Sequence, residues 1–116
     1  MSVRTISVEV LAGWLRNAEP PRLIDVLSRA HFERAHLPGA ENIPRAELHA
    51  RAPQEIPLDE PVVVYCADRL CRESCYAAVI LAELGYQQVY DFEGGLAEWR
   101  RHKLPLTAQS QPPRVA

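Results

Sequence analysis

Three cysteines, Cys66, Cys71 and Cys75, fall within ten positions, with two arginines, Arg69 and Arg72, among them. A cysteine is a nucleophile near neutral pH only where its surroundings lower the thiol pKa, and cationic side chains and helix N-termini do so. Cys66 directly follows the apolar run Pro61-Val62-Val63-Val64-Tyr65 and precedes the loop Ala67-Asp68-Arg69-Leu70-Cys71-Arg72. A loop that curls from a strand end into a helix turns successive backbone N–H groups inward as a nest, and the helix adds its positive dipole end. Cys66 is therefore expected to have a lowered pKa and to act as nucleophile. The amides of Ala67, Asp68, Arg69, Leu70, Cys71 and Arg72 are expected to hold an anion. A nucleophile inside an anion cradle suits an anionic electrophile, such as thiosulfate, a persulfide, phosphate or arsenate.

The positioning elements follow from pattern. The β-branched run before Cys66 lacks alternation, as expected of a central parallel strand covered on both faces. A helix over about Glu73 to Leu84 should follow, with Cys75, Ala78, Val79 and Ala82 on its buried face and Gly85 ending it. Leu23-Ile24-Asp25-Val26 and Gln88-Val89-Tyr90-Asp91-Phe92 read as further strands, and Asn42-Ile43-Pro44 as a short one. Ser7 and Ser28 are candidate N-caps, the first for a helix carrying Leu11, Trp14 and Leu15. Leu37-Pro38-Gly39-Ala40 is a turn signal. Residues 45–51 are expected to be helical and 52–60 a polar connection. Trp14 and Trp99 are expected in the core. Strands alternating with helices predict an α/β fold with a mainly parallel sheet flanked by helices on both faces. Ligands in such sheets bind beyond the carboxyl ends of the strands, where Cys66 sits.

Length and composition set bounds. The 116 residues are one domain's worth, expected over residues 1–106 with a loose polar tail over 107–116. Apolar residues make up 47% and charged residues 24%, an ordinary globular balance. A net charge of −2 argues against broad affinity for nucleic acid or an anionic membrane. No stretch approaches the roughly 18 apolar residues of a membrane span. A cytoplasmic monomer is expected. Three cysteines in such a chain are read as reactive rather than as a disulfide framework. No fourth ligand stands near them, since His49 and His102 are distant in sequence, so no metal site is expected.

Several ordered motifs resemble those of rhodanese-like domains. Leu23-Ile24-Asp25-Val26 and the segment Ala35-His36-Leu37-Pro38-Gly39-Ala40-Glu41-Asn42-Ile43-Pro44 resemble the two N-terminal signatures. Val62-Val63-Val64-Tyr65-Cys66 is similar to the active-site strand and nucleophile. Residues 84–99, ending in Glu93-Gly94-Gly95-Leu96-Ala97-Glu98-Trp99, are similar to the C-terminal signature, and Leu104-Pro105-Leu106 closes the match. The resemblance implies about five strands and sulfur transfer through a persulfide on Cys66, with no cofactor. Its partners would be a small anionic sulfur donor and a thiol acceptor. The sequence departs from the family pattern in a longer loop without glycine, in Leu27 where an arginine is common, and in Ala35 where glycine is usual.

Within the loop, Cys66 and Cys71 form a Cys-x4-Cys pair that resembles a subgroup carrying a second cysteine and a serine, here Ser74. That resemblance implies Cys71 as a resolving thiol, with packing under the loop as the alternative. Cys66 to Arg72 also spell Cys-x5-Arg, similar to cysteine phosphatases, which implies an oxyanion enzyme acting on phosphate or arsenate. A non-enzymatic sulfur-carrier module is the third reading. Asp25, at a strand end, His36, before the Pro-Gly turn, and Ser74 are expected to support the site structurally.

Overall fold

A computed structural model of the chain describes residues 3–108. Five parallel strands, β1 (Val3–Thr5), β2 (Arg22–Asp25), β3 (Glu41–Asn42), β4 (Val62–Tyr65) and β5 (Val89–Phe92), form one sheet in the order β1-β5-β4-β2-β3. Five helices alternate with them: α1 (Val8–Leu15), α2 (Arg29–Arg34), α3 (Leu48–Glu55, entered through a 3-10 turn over Arg45–Glu47), α4 (Glu73–Glu83) and α5 (Gly95–Arg101).

The central strand explains the unalternating valine run. β4 pairs with β2 from Arg22↔Val62 to Asp25↔Tyr65 and with β5 from Val62↔Val89 to Tyr65↔Phe92. Both its faces are covered, so each of its residues is buried. Successive side chains go to opposite faces. Val62, Val64 and Cys66 enter one core with Leu48, Ala77 and Leu81 of α3 and α4. Val63 and Tyr65 enter the other with Leu11 of α1 and Trp99 of α5. Cys66 thus emerges from the sheet on the α4 side.

Helix boundaries follow local chemistry. Ser7 Oγ accepts from Val10 N–H at 3.2 Å and Ser28 Oγ from His31 N–H at 3.3 Å, as N-caps do. Gly85, at φ +108°, ends α4 in a Schellman motif: its N–H donates to Ala82 O and Tyr86 N–H to Leu81 O. The Tyr86 hydroxyl then reaches the Ala52 and Ile56 carbonyls at 2.8 and 2.7 Å, joining that turn to the end of α3. Gly39, at φ +81°, completes the Leu37–Ala40 turn, in which Ala40 N–H donates to Leu37 O.

Some sequence expectations need correction. The helix expected over 45–51 continues through Pro53 to Glu55, because tertiary packing of Leu48, Ala52 and Ile56 outweighs one lost backbone donor. The third strand is Glu41–Asn42, starting one residue and ending two residues earlier than expected. β1 carries no apolar run of its own; its three residues are exposed and gain order by pairing with β5 at the sheet edge. Trp99 is buried, whereas Trp14 is half-exposed and lies edge-on to Tyr90 with ring centroids 4.8 Å apart. Of the tail expected from residue 107, Thr107 is tied to His36 by two backbone hydrogen bonds of 2.8 Å, and residues 109–116 lie outside the described residues.

Candidate active site

β4 delivers Cys66 to the carboxyl edge of the sheet, and the N-terminus of α5 fixes the backbone there. Leu96 N–H donates to Cys66 O at 3.0 Å and Ala97 N–H to Ala67 O at 2.9 Å. Gly95 makes this approach possible: its φ is +62°, and a Cβ at this position would collide with Cys66 O and come within 2.9 Å of the Ala67 carbonyl carbon.

The thiol faces the loop and the start of α4. Cys66 Sγ donates toward Cys71 O at 3.4 Å, accepts from Ser74 N–H at 3.4 Å, and lies 3.4 Å from Ser74 Oγ. Cys66 is 1% exposed and Ser74 2% exposed, so the thiol is enclosed. The expectation of a lowered Cys66 pKa is overturned. Burial pushes the thiol up to about 11, assisted by the neighbouring Cys71 and opposed by the Ser74 hydrogen bonds. Sequence showed a helix N-terminus and two arginines near Cys66; it did not show that desolvation would outweigh them.

The loop amides are partly engaged within the loop. Asp68 Oδ1 accepts from both Leu70 N–H and Cys71 N–H at 3.0 Å, an Asx-type arrangement that folds the loop on itself. Leu70 stands at the tip, 89% exposed. Arg69 is drawn to Glu98 at 3.3 Å and Glu93 at 3.7 Å. The Arg72 guanidinium is engaged by Cys75 Sγ at 3.8 Å and lies over the Tyr76 ring at 5.9 Å.

The buried face of α4 is also corrected. Ser74, Ala77, Ala78 and Leu81 face the sheet, while Cys75 is half-buried and Val79 exposed. The stripe is rotated by about one residue from that expected, or roughly 100°. Ser74 consequently sits beside Cys66. Cys75 instead lines a cavity of about 250 Å³ with Arg69, Cys71, Arg72, Ser74, Asp91 and Glu93.

Asp25 and His36 belong to the other side of the sheet. Asp25 is fully buried on the face of Leu23 and Tyr65, and its Oδ1 accepts from Leu27 N–H at 2.9 Å. His36 Nδ1 bonds the Phe32 carbonyl at 2.8 Å, and its ring stacks on Phe32 with centroids 3.8 Å apart. The Tyr65 hydroxyl accepts from Leu37 N–H at 3.0 Å. These groups tie down the segment after β2 and the entry to the Leu37–Ala40 turn. Sequence reasoning missed Asp91, a buried carboxylate at the end of β5 on the Cys66 side. A polar residue within the run Val89-Tyr90-Asp91-Phe92 was the available signal. Among the described residues, no group of three or more His, Cys, Asp or Glu is placed to hold a metal. No described helix is long and apolar enough to cross a membrane.

Comparison with known proteins adds the following. The model of the rhodanese-like domain matches residues 7–102. A protein of Allochromatium vinosum named sulfurtransferase is 34% identical over 106 residues, covering 91% of this chain and 96% of its own. An uncharacterized protein of Bacillus subtilis, YqhL, is 35% identical over 97 residues, covering 84% of this chain and 72% of its own. The crystal structure of the Alr3790 protein from Anabaena sp. is similar with a TM-score of 0.81 at 27% identity, covering 89% of this chain and 91% of that one. A thiosulfate sulfurtransferase from Pseudomonas aeruginosa is similar with a TM-score of 0.75 at 31% identity, covering 93% of this chain but 20% of that one.

Proposed function

This chain belongs to the rhodanese-like domain family, and from that premise we propose that it is a sulfurtransferase that carries sulfane sulfur on Cys66. The observation that carries the reading is the position of Cys66 Sγ. It lies at the carboxyl end of the central strand, 3.4 Å from the amide of Ser74, a residue at the start of α4 that lines a cavity edged by Arg69 and Arg72. In the first half-reaction the thiolate attacks the outer sulfur of thiosulfate or of a persulfide donor. A new S–S bond forms, and the donor's S–S bond breaks with its electron pair leaving on sulfite or the donor thiolate. In the second, an acceptor thiolate attacks the outer persulfide sulfur and Cys66 departs as the leaving group. Sulfurtransferase names among the relatives support this reading.

The loop amides contribute through the α4 N-terminus, where developing negative charge on sulfur meets the Ser74 N–H. Amides of Leu70 and Cys71 reach an anion when Asp68 releases them. Arg69 and Arg72 supply attraction toward the cavity. Cys71 neighbours Cys66, which favours a second use of the persulfide. Its thiolate attacks Cys66 Sγ, forms a Cys66–Cys71 disulfide and expels hydrosulfide.

Intact mass after incubating reduced protein with thiosulfate tests both steps. The protein gains one sulfur atom and Cys66→Ala does not. Accumulation of the adduct in Cys71→Ala alone identifies Cys71 as the resolving thiol. If no variant gains sulfur while phosphate or arsenate shields Cys66 from alkylation, the oxyanion reading replaces this one.

A further inference from the structure

We infer that Asp91, acting through the Ser74 hydroxyl, is the proton store of Cys66, taking the thiol's proton when the nucleophile forms and returning it when Cys66 leaves. The inference deepens the proposed function and rests on Cys66 being the reacting thiol.

Three observations converge. Asp91 pairs with Val64 across β4–β5, which sends its side chain to the face where Val64 and Cys66 lie. It is 3% exposed, it lines the cavity beside Cys66, and its Oδ1 has no hydrogen-bond partner among the described residues. Ser74 lines the same cavity as this carboxylate, and its hydroxyl stands 3.4 Å from Cys66 Sγ. A hydroxyl accepts one hydrogen bond while donating another, so Ser74 can take a proton from sulfur as it hands its own to Asp91. An underpartnered buried carboxylate costs stability, and such groups beside a nucleophile mark function.

The surrounding charges favour this role. From the start of α4 come Arg72, Ser74 and the Cys75 thiol, and from the loop Arg69 and Cys71. β5 contributes Glu93, a like charge, while β1 presents Thr5, which does not titrate. Arg69 is itself drawn to Glu93 and Glu98. Burial holds the Asp91 carboxyl above the usual carboxylate range, opposed by Ser74 and reinforced by Glu93. It is thereby a better base than an exposed aspartate.

Proton balance explains the need. The Cys66 S–H bond breaks and an O–H bond forms on Ser74, while the Ser74 O–H breaks and one forms on Asp91. Net charge in the enclosed site is unchanged, which avoids two buried anions side by side. When the acceptor attacks the persulfide, the S–S electron pair goes to Cys66 Sγ and the proton returns along the same path. A thiol of high pKa is a slow leaving group, so this return matters here.

The test is the pH dependence of Cys66 alkylation by iodoacetamide in a Cys71→Ser, Cys75→Ser background, where Cys66 is the remaining thiol. Two coupled groups give two inflections with a plateau between them. The expected result is that Asp91→Asn abolishes the lower inflection and plateau, and Asp91→Glu keeps them. Ser74→Ala also abolishes them and Ser74→Thr restores them. A single inflection in the background protein overturns the inference, as does a lower inflection that survives in Asp91→Asn or Ser74→Ala. Sulfur uptake from thiosulfate is measured beside it. If uptake fails while the two-step profile holds, sulfur transfer is wrong and the relay stands.

Discussion

Gly95→Ala isolates how closely α5 is set against the nucleophile. Two costs arise there. A left-handed backbone costs a non-glycine residue about 1–2 kcal/mol. The new Cβ would also collide with Cys66 O and approach Ala67 backbone atoms at 2.9 and 3.0 Å. Backbone atoms cannot swing aside like a side-chain tip, so either α5 or the Cys66–Ala67 segment must move. That movement strains the Leu96→Cys66 and Ala97→Ala67 hydrogen bonds, each worth about 1 kcal/mol. The sum is about 3–4 kcal/mol, a large part of a typical domain's stability of about 5–15 kcal/mol. Gly39→Ala is the control. Its φ is +81°, but nothing lies within 4 Å of its added Cβ. The conformational cost alone, about 1–2 kcal/mol, applies there. With a urea slope of about 1.5 kcal/mol per molar, the midpoint falls by about 2–3 M for Gly95→Ala and about 1 M for Gly39→Ala. Urea unfolding followed by circular dichroism reads both. Equal shifts, or a larger one for Gly39→Ala, would refute the close-approach argument.

Further consequences can be measured alongside. Tyr65→Phe removes the acceptor of the buried Leu37 N–H and lowers stability by about 1–3 kcal/mol, read by the same unfolding curve. Asp25→Asn flattens the pH dependence of stability on the acid side of neutrality. Burial raises the Asp25 pKa, so its stabilising contribution is present below the unfolded value and lost as pH rises through the folded one. The assay is unfolding free energy across pH; a slope unchanged from the parent counts against it. Trp99→Phe loses the Nε1–H donation to Pro105 O at 2.8 Å, which raises amide exchange at Thr107, whose pairing with His36 depends on that segment.

Much of the frame was legible in sequence because its causes are local. The unbroken Val62–Tyr65 run, the serine caps and the Pro38-Gly39 and Gly85 signals each act over a few residues. Three-residue β1 was not legible, since its order comes from a partner 86 positions away at Val3↔Val89. The helix continuing through Pro53 was likewise hidden, because packing outweighs the local penalty.

The site divides the same way. Sequence alone determined that a cysteine ends the central strand, that a loop with a second cysteine follows, and that a helix begins just beyond it. Tertiary structure decided the electrostatics. It enclosed Cys66 and raised its pKa, turned Ser74 rather than Cys75 toward it, and engaged two loop amides with Asp68. It also brought Asp91 under α4, while placing Asp25 and His36 across the sheet. The physical reason is that strand position and capping depend on near neighbours in the chain. Desolvation and proton paths depend on which groups from distant segments enclose an atom, and helix rotation about its own axis settles that.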